Sequence, residues 1–310
     1  MLRYDGVLLR RLAWLGSARG PALLRRWSPG PWGALFYAAL GSRRRAVRAN
    51  QRRIRPTAPP AEIERATLGT FLAFARCLTD TFEATGPRPP PIGVEAVGEE
   101  HLEAASRLGR GAVMVTAHVG NWELFGRIVA KKGYPVTVAM ARERNPSVRR
   151  FSEDLRAGGG VEVLYTDDGS GAFVALDLLR ALRRGRMLAV QIDRPAGGDG
   201  DVVLPFFGAQ VPFPRGPFLL AQAAGAPVLP VFTFLLGHHR YRVEVSPPIE
   251  VPRTGRGAVS VAAANAVRIL ESAVRRFPEQ WFHFTEIGGS GYAAGTPATA
   301  HTPEPERQTG

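Results

Sequence analysis

The chain has 310 residues, 45% of them apolar and 22% charged, which is enough to bury one large α/β core, and it carries a formal net charge of +13. Its single cysteine, Cys77, excludes an internal disulfide and a cysteine-based zinc cluster, and no apolar run reaches the roughly 18–20 uncharged residues that cross a bilayer. Arginine supplies nearly all the positive charge, since Lys131 and Lys132 are the only lysines, so the surface wants an anionic partner: lipid headgroups, an acidic carrier protein or nucleic acid.

Residues 1–56 mix short apolar runs with arginine clusters. Leu8, Leu9, Leu12, Ala13 and Leu15 share a helical stripe flanked by Arg10, Arg11 and Arg25, and a second apolar patch, Trp32 to Leu40, precedes Arg43-Arg44-Arg45. A basic helix with Leu and Trp on its other side reads as lying in a membrane interface, or as packed on the catalytic domain with its arginines solvated. Arginines interrupt these apolar runs and no small-residue cleavage site follows them, so no signal peptide is expected. Thr57 to Phe82 is the next helical pattern, and the Pro-rich stretch 87–91 leads into a first strand at Ile92 to Val94.

The apolar run Ala112 to Ala117 reads as a buried strand, and Asn121 to Lys132 as a helix with Leu124, Ile128 and Val129 on one face. His118 is thereby placed at the C-terminal tip of a strand and Glu123 in the first turn of the following helix, where open α/β sheets bind ligands. Across the Gly120 turn the Glu123 carboxylate is expected to reach one imidazole nitrogen, leaving the other to face the crevice as a base. No Ser or Cys stands beside this pair, so the nucleophile is expected to be a hydroxyl of the substrate.

Further strands are predicted at Tyr134 to Met140, Val161 to Tyr165 and Met187 to Ile192, and helices start at Asn145-Pro146 and span Phe173 to Arg184. Such βα alternation implies an α/β fold, a mainly parallel sheet flanked by helices. Arg142, Arg144, Asp193 and Arg194 then sit on the same rim as His118. Phe206-Phe207-Gly208 and Val211-Pro212-Phe213 supply aromatic surface with tight turns, either the wall of an apolar groove or a core plug. Pro214-Arg215-Gly216-Pro217 opens the helix Phe218 to Ala224, whose N-terminus suits a phosphate or carboxylate. Pro227 to Leu236 and Tyr241 to Val245 are strands, His238 and His239 are exposed turn residues without a spaced metal partner, and Val259 to Phe277 is an amphipathic helix. The Gly, Ala, Thr and Pro content after Gly288 is that of a disordered tail.

His118-Val119-Gly120-Asn121-Trp122-Glu123 resembles the first signature of the lipid A biosynthesis late-acyltransferase (lauroyl/myristoyl acyltransferase) family, within the lysophospholipid acyltransferase superfamily. The similarity runs on through Arg142-Glu143-Arg144-Asn145-Pro146, Asp193-Arg194, Phe206-Phe207-Gly208, Pro214-Arg215-Gly216-Pro217, Gly225-Ala226-Pro227-Val228 and Pro278-Glu279-Gln280-Trp281, in the family's order, from about Arg43 to Ile287. Arg194 stands where the family often carries Gln.

The resemblance implies a basic N-terminal segment (1–56), an acyltransferase domain (57–287) and the tail (288–310). It implies His118 and Glu123 as catalytic residues of the His-x4-Glu type. Asn121, Arg142, Arg144, Asp193, Arg194, Phe206, Phe207 and Arg215 are then substrate-binding, with either Arg142 or Arg144 on a phosphate and the block at Pro278 packed beneath the site. No metal or other cofactor is expected. The acyl donor is acyl carrier protein or coenzyme A thioester, and the acceptor a hydroxyl of a lipid or glycolipid, on the cytoplasmic face of a bacterial inner membrane. The alternatives are an acyl-thioester hydrolase and a non-catalytic basic membrane-binding protein. Nucleic acid is not expected as a partner, because the aromatics fall in apolar segments and not in a basic stacking array.

Overall fold

The structure, a computed structural model, describes residues 7–143, 145–157, 159–166, 171–197, 200–255 and 257–288. Helices α1 (Val7–Arg19), α2 (Ala22–Trp27), α3 (Pro29–Ala39) and α4 (Gly41–Ile54) precede the long α5 (Pro60–Ala84). Then follow β1 (Gly93–Val97), α6 (Glu99–Arg107), β2 (Ala112–Thr116), α7 (Trp122–Lys131), β3 (Val136–Met140), α8 (Pro146–Ala157), β4 (Val161–Tyr165), α9 (Gly171–Arg183) and β5 (Met187–Gln191). The C-terminal third holds β6 (Asp201–Phe206), β7 (Ala209–Pro214), α10 (Gly216–Ala224), β8 (Val228–Gly237), β9 (Arg240–Val245), α11 (Ala258–Arg276) and a short 3-10 turn at Pro278–Gln280.

Seven strands form one sheet in the order β1-β9-β8-β2-β5-β3-β4. From β8 to β4 all neighbours are parallel, while β9 runs back against β8 and β1 lies parallel to β9. Parallel strands covered by helices on both faces read as unbroken apolar runs, and β2, Ala-Val-Met-Val-Thr, is buried at every residue. Its two faces feed different clusters: Val113 and Val115 pack towards α10 and α11, Ala112 and Met114 towards α7. The expected α/β architecture is the observed one.

The hairpin of β6 and β7 departs from the sequence reading. Its strands pair antiparallel outside the main sheet, Val202 opposite Phe213 and Leu204 opposite Val211. Pro205, Pro212 and Pro214 interrupt the β pattern, which is tolerated because both strands are edges. The connecting residues Phe207 and Gly208 have φ of 46° and 73°, the left-handed pair that a two-residue hairpin loop needs.

Helix α4 is built into the domain. Asn50 Nδ2 donates to the carbonyls of His283 (3.0 Å) and Thr285 (2.9 Å), its Oδ1 accepts from Ile287 N (3.0 Å), and Gln51 donates to Pro278 O (2.8 Å). Helices α1 to α3 present Leu8, Leu12, Leu15, Leu23, Leu24, Trp27, Trp32 and Leu35 to solvent. Among the described residues no helix is long and apolar enough to cross a membrane.

Candidate active site

The register of the central strands builds the site. In β2 and β5, Thr116 is level with Gln191, and Ile192 N donates to Thr116 O at 2.9 Å. Two residues beyond each strand end, His118 and Asp193 therefore face one another. Asp193 Oδ1 lies 2.8 Å from His118 Nδ1, and Asp193 Oδ2 accepts the His118 backbone N–H at 3.0 Å. A carboxylate at Nδ1 selects the tautomer with Nδ1–H and leaves the lone pair on Nε2.

The carboxylate is itself held in place. Trp281 Nε1 donates to Asp193 Oδ2 at 3.0 Å, and His283 Nε2 lies 3.1 Å from the Asp193 carbonyl. Phe282 N donates to His118 O at 2.7 Å, so the segment after the 3-10 turn runs directly under the dyad. His283 was not singled out from sequence, and Trp281 appears there only as the last residue of the block starting at Pro278, expected beneath the site. Gly120, at φ 55°, turns the chain so closely past Thr233 that a Cβ would overlap its carbonyl oxygen. No other residue fits there.

Three expectations about the site residues are corrected by the geometry. Glu123 does not hold the imidazole: its carboxylate takes Arg156 Nη2 at 2.6 Å and Nε at 3.2 Å, a bidentate pair with α8. Asn121 is buried and committed to the protein, its Oδ1 capping Leu124 N (3.2 Å) and accepting from Thr81 (2.9 Å), its Nδ2 donating to Cys77 O (2.9 Å) and Tyr241 Oη (3.2 Å). Phe206 and Phe207 wall no groove. They are buried with Phe213 and Trp281 in one aromatic cluster, so they support the indole that holds Asp193.

The arginines lie as follows. Arg142 stacks 4.8 Å over the Tyr165 ring at the end of β4, and Arg215 is the N-cap residue of α10, its backbone N–H donating to Gly200 O at 2.9 Å. Arg194 follows Asp193 and its charge acts on His118. Arg144 lies outside the described residues.

Burial pushes the His118 pKa below its ordinary value; the charge of Asp193 pulls it up, Arg194 down, and the result stays low. The ring is therefore neutral at neutral pH. Burial raises Asp193, but the charge and hydrogen bond of His118 outweigh it and hold the carboxyl well below the usual range. With three nitrogens around it, Asp193 stays ionised. Burial also pushes His283 down, to about 4, and the buried Cys77 thiol well up, so that the thiol is inert.

A model of the family described as bacterial lipid A biosynthesis acyltransferase matches residues 2–286. A phosphatidylinositol mannoside acyltransferase from Mycolicibacterium smegmatis is 27% identical over 275 residues, covering 86% of this chain and 88% of the relative. One of the same description from Mycobacterium tuberculosis is 30% identical over 185 residues, covering 59% of this chain and 56% of the relative. A lipid A biosynthesis palmitoleoyltransferase from Escherichia coli is 26% identical over 194 residues, covering 60% and 59%.

Proposed function

Because the chain belongs to the bacterial lipid A biosynthesis acyltransferase family, and is an acyltransferase acting on a lipid or glycolipid acceptor, we propose that His118 and Asp193 carry out the transfer. The observation that carries this is the 2.8 Å contact between Nδ1 and the ionised carboxylate, with Nε2 left as the base. The acceptor hydroxyl gives its proton to His118 Nε2 as its oxygen attacks the thioester carbonyl carbon. The carbon–sulfur bond then breaks, the imidazolium returns the proton to the departing thiolate, and the ester is released with His118 neutral again.

Glu123 has a different place from the one its spacing suggested. Its charge favours the imidazolium through space, and Arg156 fixes it. Backbone donors for the oxyanion are fewer than the turn suggests: Gly120 N donates to Gln280 O (2.8 Å) and Asn121 N to Thr233 O (3.2 Å). Of the stretch 120–122 that leaves the N–H of Trp122, the first residue of α7, for the tetrahedral intermediate.

Arg142, Arg194 and Arg215 bind phosphates of a donor or acceptor, and the donor is acyl carrier protein or a coenzyme A thioester. The similarity to a mannoside acyltransferase over most of both chains favours a phosphate-bearing glycolipid acceptor. The exposed apolar residues of α1 to α3, interleaved with arginines, support peripheral attachment to an anionic membrane, and the face we assign is the cytoplasmic one of the inner membrane.

The test is a comparison of total lipids, by mass spectrometry, from cells expressing wild type and His118→Ala at equal levels. A lipid heavier by one acyl group only with the wild type identifies acceptor and chain length together. Identical lipid profiles, with both proteins stable at the membrane, would reject transfer and direct attention to thioester hydrolysis.

A further inference from the structure

Four side chains outside the proposed chemistry meet where the turn between β8 and β9 crosses the end of α5. Asp80 and Glu83 stand one helical turn apart near the C-terminus of α5, and both are buried. Two carboxylates removed from water at the negative end of a helix dipole need a cation. Arg25 reaches Glu83 Oε2 at 3.4 Å, and Arg76 acts on Asp80 while its Nη2 donates to Arg26 O at 2.8 Å. Among the described residues Asp80 Oδ1 and Glu83 Oε1, both buried, accept no hydrogen bond.

The turn delivers two imidazoles to these oxygens. His239 has φ of 54°, a left-handed conformation that is uncommon without glycine. It holds Nε2 3.0 Å from Glu83 Oε2 and 3.7 Å from Asp80 Oδ1, yet the alignment makes no hydrogen bond to either. The ring of His238 stacks on that of His239 with centroids 3.8 Å apart. One ligand atom from each of Asp80, His238 and His239 lies within 4.8 Å of the other two.

We propose that Asp80, His238 and His239 bind a divalent transition metal ion, with Glu83 as the fourth ligand. Two imidazole nitrogens with carboxylate oxygens suit a borderline ion, and Zn2+ fits this donor set best; all-oxygen shells suit calcium or magnesium, and thiolates suit copper(I). The outer partners are in place. Tyr241 Oη donates to Asp80 Oδ2 at 2.6 Å, orienting Oδ1 towards the imidazoles. Tyr241 in turn accepts from Asn121, whose other contacts cap α7 beside His118. Four protein ligands leave no position for a substrate, so the ion is structural: it ties the β8–β9 turn to α5 and steadies the cap of the helix that follows the base.

The experiment uses the full chain without a histidine tag, expressed with zinc and assayed by inductively coupled plasma mass spectrometry. Thermal unfolding is then followed with EDTA, with Zn2+ and with Co2+. Stoichiometric zinc, a melting temperature lowered by EDTA and restored by Zn2+, and visible absorption bands of a nitrogen–oxygen cobalt site are the expected results. His238→Gln changes an exposed residue, so it folds, and it should weaken Co2+ binding by more than about 10-fold. His101→Gln, at a histidine elsewhere on the surface, should leave binding as it was. Asp80→Asn keeps the contact with Tyr241 and should also lose the metal. Zinc-free wild type whose melting is indifferent to EDTA and Zn2+ overturns the proposal. So does His238→Gln protein that binds Co2+ as tightly as wild type.

Discussion

Asp193 receives His118 with both of its carboxylate oxygens, Oδ1 at the ring Nδ1 (2.8 Å) and Oδ2 at the backbone N–H (3.0 Å). Ring orientation and main-chain position are thus set by one side chain. Asp193→Asn keeps the size but offers an amide in place of the carboxylate that selects the tautomer and stabilises the imidazolium. It should lower kcat by about 10²–10⁴-fold with circular dichroism unchanged, and His118→Ala should abolish transfer. Wild-type turnover in Asp193→Asn would remove the carboxylate from the mechanism.

The position of His118 in the buried end of the sheet also fixes a pH dependence. Its pKa lies below the ordinary 6.5, burial being the largest cause and the Asp193 charge the main opposing one. A base must be unprotonated, so kcat/KM should stay level from neutral pH down past 6.5 and fall only as the ring protonates on the acid side. In Asp193→Asn the upward pull is gone, and the acid limb should move to still lower pH. An acid limb centred above 6.5 in the wild type would show that another group limits the reaction.

The sheet, the helices on its faces and the place of His118 at the tip of β2 were legible because each is written locally, in apolar runs, caps and Gly120. The carboxylate partner of His118 was not. Glu123 is close to His118 in the chain, whereas Asp193 is close only because β5 lies beside β2, and strand order is not written in either strand. Asp193 was read as a substrate-binding rim residue, whereas it bonds His118, and Trp281 was read as packing, for the same reason. The β6–β7 hairpin escaped because prolines break its alternation, and its Phe207 turn uses a left-handed residue that is not glycine. Similarly, nothing near His238 and His239 in the chain announces two carboxylates from α5.

Glu123 and Arg156 offer a separate test. If the carboxylate stabilises the imidazolium through space, Glu123→Ala should lower kcat by roughly two to four orders of magnitude. Arg156→Ala should cost less, because it frees the carboxylate without removing its charge. With Arg156 acting only through Glu123, the double variant should be no slower than Glu123→Ala, a non-additivity that a double-mutant cycle reads directly. An unchanged rate in Glu123→Ala would mean that the pair merely joins α7 to α8.

The membrane face can be tested without disturbing the core, and α2 is the place to do it. None of its residues is buried, and Leu23 (72% exposed) and Trp27 (67%) stand beside Arg25 and Arg26. Removing all of residues 1–56 is a poorer test, since Asn50 and Gln51 of α4 hold the C-terminal segment that underlies His118. Leu23→Glu with Trp27→Glu should leave the fold intact, because neither side chain packs inside. The double variant should nonetheless lose sedimentation with anionic vesicles, since an acidic residue loses apolar insertion and repels the headgroups together. Transfer to a soluble, short-chain acceptor should persist while transfer to a vesicle-borne acceptor falls. Arg10 of α1 pairs with Glu143, in the loop between β3 and α8, at 3.3 Å, so α1 is joined to the rim of the site. Equal vesicle binding by wild type and the double variant would place the membrane contact elsewhere on the molecule.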